Sequence, residues 1–266
     1  MMKIARDFLK KLGYYEYLRY SFFFTLYTRL FKRKVIRDHQ KEVDFYSSFL
    51  SHTPLIFDIG AYDGHKTAAF LEIADRVVSC EPDKHNFRTL QIRFRNCRSR
   101  VFTENKALSD HIGTETYYVH HAGSAFNTLN PKWKQLLEAE GQSRWNENIQ
   151  FSDQVSVPLT TLNQLIQQYG KPGFIKIDVE GYELQVLKGL SVKVPFLSFE
   201  CLLPDCKSEL LECLLHLYQL DNSVTFNIAF EESLLLGSFL SYNDMLQYIA
   251  DKAAPGCFEI VAKMNV

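Results

Sequence analysis

Residues 54–67 read Pro54-Leu-Ile-Phe-Asp-Ile-Gly-Ala-Tyr-Asp-Gly-His-Lys-Thr67, and the fold turns on how they are read. Leu55, Ile56, Phe57 and Ile59 form a short apolar run suited to a strand buried on both faces. Asp58 interrupts it near its end, and Gly60 and Gly64 mark a tight turn. A helical pattern follows, running to about Ala74. Strand, glycine turn and helix is an order that presents backbone N–H groups to a ligand at a helix N-terminus.

Three ligand chemistries compete for such a turn. A phosphate-binding G-x-x-x-x-G-K-[ST] loop fits from Gly60 to Thr67 except at His65, where a Cβ replaces the second glycine that wraps the phosphates. The dinucleotide pattern G-x-G-x-x-G fails at Tyr62, where a pyrophosphate must approach. A sulfonium nucleoside carries no phosphate and asks less: a bend, backbone room beside Gly60, and an acid for ribose hydroxyls one strand later. Glu81, after the apolar run Arg76–Cys80, stands where that acid belongs.

Outward from this stretch, apolar runs alternate with helical patterns, which predicts an α/β fold with a mostly parallel sheet. Strands are expected at 55–59, 76–80, 101–107, 155–159, 174–179, 196–200, 223–228 and 258–262. Helices are expected between them, and an edge hairpin begins at Gly113. Residues 120–150 break the alternation, with a polar loop from His120 to Thr128 and a short helix at Pro131–Glu140. An excursion of this length reads as a lid-like insert.

With 266 residues, the chain can bury one large core and carry an accessory segment. Its net charge of −1 exerts no overall pull on nucleic acid, which is not an expected partner. The charge is uneven, however: residues 1–51 hold 11 Lys and Arg against 5 Asp and Glu. They read as a basic, aromatic-rich helical extension on a domain spanning 52–266. Ile4, Phe8, Leu12 and Tyr15 recur at helical spacing, and aromatics crowd Tyr14–Phe31. Such a face suits packing on the domain, a homodimer through residues 1–40, or peripheral contact with the inner membrane surface.

Lys3, Arg6, Lys10 and Lys11 interrupt the first apolar stretch, so no cleavable leader is expected and the compartment reads as cytoplasmic. None of the six cysteines forms a CxxC pair, and they read as core residues in a reducing environment.

Four elements together resemble the FkbM-type methyltransferase family: Asp58-Ile-Gly-Ala-Tyr-Asp-Gly64, Glu81-Pro82, Ala107-Leu-Ser-Asp110, and Ile175–Glu183 followed by Val186-Leu-Lys-Gly189. The resemblance covers roughly residues 52–230. It implies a Rossmann-like seven-stranded sheet with helices on both faces, S-adenosyl-L-methionine as cofactor, and O-methylation of a sugar hydroxyl, glycolipid or small metabolite. The cofactor-binding residues it implies are Asp58, Gly60, Ala61, Tyr62, Asp63, Gly64, Thr67, Glu81, Pro82, Ala107 and Asp178. The pair Tyr62-Asp63 departs from the small polar pattern frequent in the family.

An alcohol acceptor must lose a proton, so a general base is expected at the C-terminal ends of the strands. Asp178, Glu180 and Glu183 are the catalytic candidates, with Asp178 toward the methionine moiety and Glu180 toward the acceptor. Glu183 could equally complement its helix N-terminus. A divalent metal between Asp178 and Glu200 would need neighbouring strands. Strand-tip carboxylates are usually hydrogen-bonded or solvated, so none is expected. His65, His120 and His121 read first as solvated loop residues. Asn127, Thr128, Trp133 and Trp145 could bind a sugar or pack the insert.

Overall fold

The structure, a computed structural model, describes residues 14–251 and 254–266. Ile4, Phe8 and Leu12, expected on a first amphipathic helix, lie outside the described residues. Three helices open the described chain: α1 (Tyr15–Arg19), α2 (Phe22–Phe31) and α3 (Arg33–Ser47). Next come β1 (Thr53–Ile59), α4 (His65–Ile73), β2 (Ala74–Cys80), α5 (Lys84–Arg93) and β3 (Val101–Glu104). The middle of the chain holds β4 (Ala107–Leu108), β5 (Gly113–Val119), α6 (Pro131–Arg144), β6 (Asp153–Thr160) and α7 (Leu162–Tyr169). The remainder is β7 (Phe174–Ile177), α8 (Glu183–Lys188), β8 (Phe196–Leu203), α9 (Lys207–Leu220), β9 (Thr225–Phe230), β10 (Ser233–Leu234), β11 (Leu240–Ser241), α10 (Tyr242–Asp251) and β12 (Gly256–Lys263).

The main sheet has the order β10-β9-β12-β8-β7-β1-β2-β3, with β11 also on β9. Without the two-residue strands β10 and β11, it is the seven-stranded sheet expected. The pairs β3/β2, β2/β1, β1/β7 and β7/β8 are parallel, while β12 runs antiparallel to both of its neighbours. Leu55, Phe57, Ile59, Ile175, Ile177, Leu197 and Phe199 pack on one face of the sheet against α7, α8, α9 and α10. Ile56, Val77, Phe174 and Val261 pack on the other against Phe70 of α4 and Phe45 and Tyr46 of α3. Strands covered on both faces need side chains apolar at every position, which is why β1 and β7 read as continuous runs rather than alternations.

Two expectations change. The run at 155–159 does not join the main sheet. It is part of β6, which pairs antiparallel with β5 and parallel with β4 in a separate three-stranded sheet. The hairpin begun at Gly113 therefore closes on Asp153–Thr160, and residues 120–152 are its connection. The alternation in β5 fits this role: Tyr117 turns inward with Val157, Leu159, Ala107 and Leu129, while neighbouring positions face out. The expected strand 101–107 also breaks at Asn105, whose side chain donates to the carbonyls of Glu81 and Pro82.

The chain leaves β1 toward β2 on one side and returns to β7 on the other. The loops at the carboxyl ends of β1 and β7 thus diverge, and a crevice forms between them.

Candidate active site

That crevice is a cavity of about 290 Å³, lined by Asp58, Ile59, Gly60, Ala61 and Tyr62 from β1 and its turn, and by Cys80, Glu81 and Pro82 from β2. Ala107, Leu108, Tyr117, Asn127 and Leu129 form a side wall, and Lys176, Asp178, Val179 and Glu180 close it from β7. His65, Lys66, Asn86, Lys106, Ser124 and Ala125 complete the lining.

Gly60 is required by close approach. Its φ is +82°, and a Cβ there would stand 1.7 Å from the carbonyl oxygen of Asp178. The turn does not present a row of free amides. Gly60 and Ala61 both donate to the Cys80 carbonyl (3.0 Å each), Tyr62 donates to Glu81 Oε2 (2.9 Å), Gly64 to the Ala61 carbonyl and His65 to Asp63 Oδ1. With those amides consumed internally, the turn shapes a floor and is no phosphate cradle.

Glu81 is buried at the end of β2. One carboxylate oxygen accepts from Tyr62 N–H and the other from Asp83 N–H (2.8 Å). Burial pushes its pKa up to about 8 against these two stabilising bonds. Asp58 is also buried and raised by burial. Its Oδ2 accepts from the Thr67 hydroxyl at 2.5 Å, and that hydroxyl also meets Ser79 Oγ at 2.9 Å.

Thr67 therefore positions Asp58 from behind and does not line the cavity. Asp63 and Gly64 also stand outside it. Asp63 turns away to pair with Arg93 (3.3 Å) and Arg19 (3.1 Å). Burial opposes its charge, but a hydrogen bond from His65 and the two guanidiniums hold its pKa well below the usual carboxylate range.

At the β7 edge, Asp178, Glu180 and Glu200 each place an oxygen within 4.8 Å of the others, because β7 and β8 are neighbours. Lys176, 1% exposed, supplies a fixed positive charge beneath them. Its Nζ lies 3.1 Å from Asp178 Oδ2 and 3.2 Å from Glu259 Oε1. Burial disfavours that ammonium, yet the two carboxylates outweigh it and hold its pKa above that of an ordinary lysine. Glu180 is pushed strongly upward by burial and then by Asp178 and Glu200. Glu200 is raised to about 8 by burial, then by Asp178.

Glu180 and Tyr62 both have positive φ (56° and 49°), so each lip of the crevice holds a non-glycine residue in the left-handed region. Glu183 lies outside the cavity. It accepts from the amides of Val179 and Gly181 (3.1 and 3.3 Å) and so orders the loop that carries Glu180. Burial raises it to about 7.

The insert is bound tightly to this edge. The Thr128 hydroxyl donates to the Glu180 carbonyl (2.7 Å), Asn130 donates to the Gly181 carbonyl, and Trp133 Nε1–H donates to Glu180 Oε2 (3.2 Å). Asp83 caps α5 and also accepts from Gly123 N–H and the Asn127 amide (3.2 Å each). Trp145 packs edge-on against Trp133 and stays within the insert. His120 bonds Gln150 and Glu147 at the base of the insert, away from the cavity.

Asp83, Lys106, Tyr117 and Lys176 were not expected at the site. Two of them carried a signal: Asp83 reads as an N-cap before a helix, and Lys176 is a charge inside a run otherwise buried on both faces.

Among the described residues no helix is long and apolar enough to cross a membrane. No curated protein sequence matches the chain significantly. Solved structures that it resembles include an FkbM methyltransferase from Methylobacillus flagellatus, at 17% identity and a TM-score of 0.48 over 80% of this chain. The chain spans only 45% of that protein's length. A precorrin-6y C5,15-methyltransferase from Geobacter metallireducens is similar at 9% identity and a TM-score of 0.42, over 85% of this chain and 87% of that one. An O-methyltransferase from Bacillus cereus in complex with SAH is similar at 11% identity and a TM-score of 0.39, over 86% and 80%. Likeness at these levels says nothing of activity. The family assignment rests instead on sequence: the methyltransferase FkbM domain matches residues 58–205, more than half of the chain, and the chain belongs to that methyltransferase family.

Proposed function

We propose that this chain is an S-adenosylmethionine-dependent O-methyltransferase acting on a hydroxyl of a sugar, glycolipid or small metabolite. Glu81 carries the reading. Its two oxygens are aimed by the Tyr62 and Asp83 amides, one strand beyond the Gly60 turn, and their remaining lone pairs suit two ribose hydroxyls. The cavity fits the rest of the group: Ile59, Ala61 and Leu108 offer apolar walls, and Asp58 and Asp178 offer negative charge to a sulfonium and an amine.

When bound, S-adenosylmethionine supplies a methyl group for in-line displacement, a reaction in which positioning provides much of the acceleration. Glu180 is the general base, taking the acceptor's hydroxyl proton on its carboxylate. Its surroundings raise its proton affinity, so it acts as base in the ionised fraction that grows as pH rises, and Trp133 Nε1–H holds its orientation. Asp178, steadied by Lys176, faces the donor side. Glu183 orders the loop, and Ser124, Ala125, Asn127 and Leu129 of the insert form part of the cavity wall.

Calorimetry with S-adenosylmethionine, followed by transfer of radiolabelled methyl to fractionated lysate, tests the reading. Binding, with label on a hydroxyl of a sugar-bearing or small acceptor, is expected. No binding would end it, and label confined to nitrogen or sulfur would end the O-methyl assignment.

A further inference from the structure

Among the described residues, the most exposed large apolar side chains are Phe23 (79%), Phe22 (76%) and Phe31 (71%), all on α2. Leu26, Tyr27 and Leu30 of the same helix are exposed as well. At ~100° per residue these six cover about half of the helix circumference, wider than the stripe of about 100° that packs a helix on a protein core. Residues 17–37 carry six Lys and Arg and no Asp or Glu. Lys32, Arg33, Lys34 and Arg37 are exposed next to the aromatic surface, at the end of α2 and the start of α3.

Charge selects the occupant. A second copy seated through the same surface would bring two segments of like positive charge together. An anionic bilayer surface neutralises them, and its interface accepts aromatic rings and leucines. We propose that α2 and the first turns of α3 seat on an anionic membrane surface. Segment and cavity are joined. Arg19 of α1 pairs with Asp63 in the cofactor turn, and Glu42 of α3 lies 3.1 Å from the ammonium of Lys66, which lines the cavity. The seat itself stands apart from the proposed reaction.

The test is sedimentation of the full chain with vesicles of phosphatidylcholine alone and of phosphatidylcholine mixed with phosphatidylglycerol, in low and high salt. Two variants accompany it: Phe22→Ser with Phe23→Ser and Phe31→Ser, and Arg33→Glu with Lys34→Glu. Their thermal midpoints serve as the check on folding. The wild-type chain should bind the anionic vesicles about tenfold or more better than the neutral ones, and salt should weaken it. Each variant should lose about tenfold or more of that binding. Equal and negligible sedimentation with both vesicles would overturn the proposal, as would a serine variant that binds like wild type. A lipid-free dimer in equilibrium sedimentation that the serine variant dissociates would overturn it too, since a second copy would then occupy the surface. Each of these readouts is independent of whether S-adenosylmethionine binds.

Discussion

Glu81→Gln puts the cofactor reading under direct strain. An ionised carboxylate offers about four lone-pair sites. The Tyr62 and Asp83 amides take two, leaving two for ribose hydroxyls. Glutamine replaces one oxygen by NH₂, which must face one of those amides donor to donor and cannot accept a hydroxyl. Charge-assisted bonds contribute ~1.5–3 kcal/mol each, so losing one and weakening the other costs about 3 kcal/mol, or roughly a hundredfold in Kd.

A pH signature accompanies this loss. Burial holds Glu81 at about 8 in the free protein, so below that pH its carboxyl must give up a proton to accept both hydroxyls. Wild-type affinity should therefore climb with pH, by at most about tenfold per unit, and level off above about pH 8. Binding below that pH should release a proton, visible in calorimetry as an enthalpy that follows the ionisation heat of the buffer. Glu81→Gln should flatten that slope. The reasoning fails if the variant binds within about threefold of wild type, or if wild-type affinity is flat from about pH 6 to about pH 9 with buffer-independent heats.

Further outcomes follow from the same geometry. Glu180→Gln should lower the rate of methyl transfer by about a hundredfold or more while leaving calorimetric cofactor affinity nearly unchanged; an unchanged rate would remove Glu180 as the base. Lys176→Met leaves Asp178 and Glu259 facing each other without their cation, and should cost ~3–5 kcal/mol in urea unfolding. Gly60→Ala must push the Asp178 backbone away, at more than about 3 kcal/mol, whereas Gly170→Ala has φ +99° with nothing within 4 Å of the new Cβ and should cost only ~1–2 kcal/mol; equal losses would mean that backbone strain alone explains both.

Stability should also depend on pH. Glu81, Glu183 and Glu200 sit at about 8, 7 and 8, above the ordinary 4.5. The folded state then binds more protons than the unfolded chain between these limits, so stability falls as pH rises from about 4.5 to about 8 by up to ~1.4 kcal/mol per pH unit for each group still protonated. A thermal midpoint that rises over that interval would contradict the burial of these carboxyls.

Local patterning was enough to locate β1, its glycine turn and the acid at the end of β2. Strand, turn and helix are contiguous, and the information needed to form them lies within a few residues. The same holds for β2, β7 and β8, whose apolar runs reflect burial on both faces. Pairing across distance was another matter. A run such as Val155–Leu159 looks the same whether it joins a large sheet or a small one, and only its register with Gly113–Val119 assigns it.

The site divides in the same way. Asp58, Gly60, Tyr62, Glu81 and Asp178 announced themselves through motif and spacing. Asp63 and Thr67 belong to the same motif yet stand behind the cavity, because Arg19 and Arg93 draw Asp63 away and the Thr67 hydroxyl is bonded to Asp58 and Ser79. That Asp83 would hold the insert, that Thr128 and Trp133 would reach Glu180, and that Lys176 would lie between Asp178 and Glu259 depended on strands and loops brought together from across the chain. Sequence alone thus determined the fold class and the floor of the cavity. The protonation states of Glu81, Glu180 and Glu200 were decided only by tertiary structure, because desolvation and charge proximity are properties of the folded surroundings, and neighbours in sequence do not carry them.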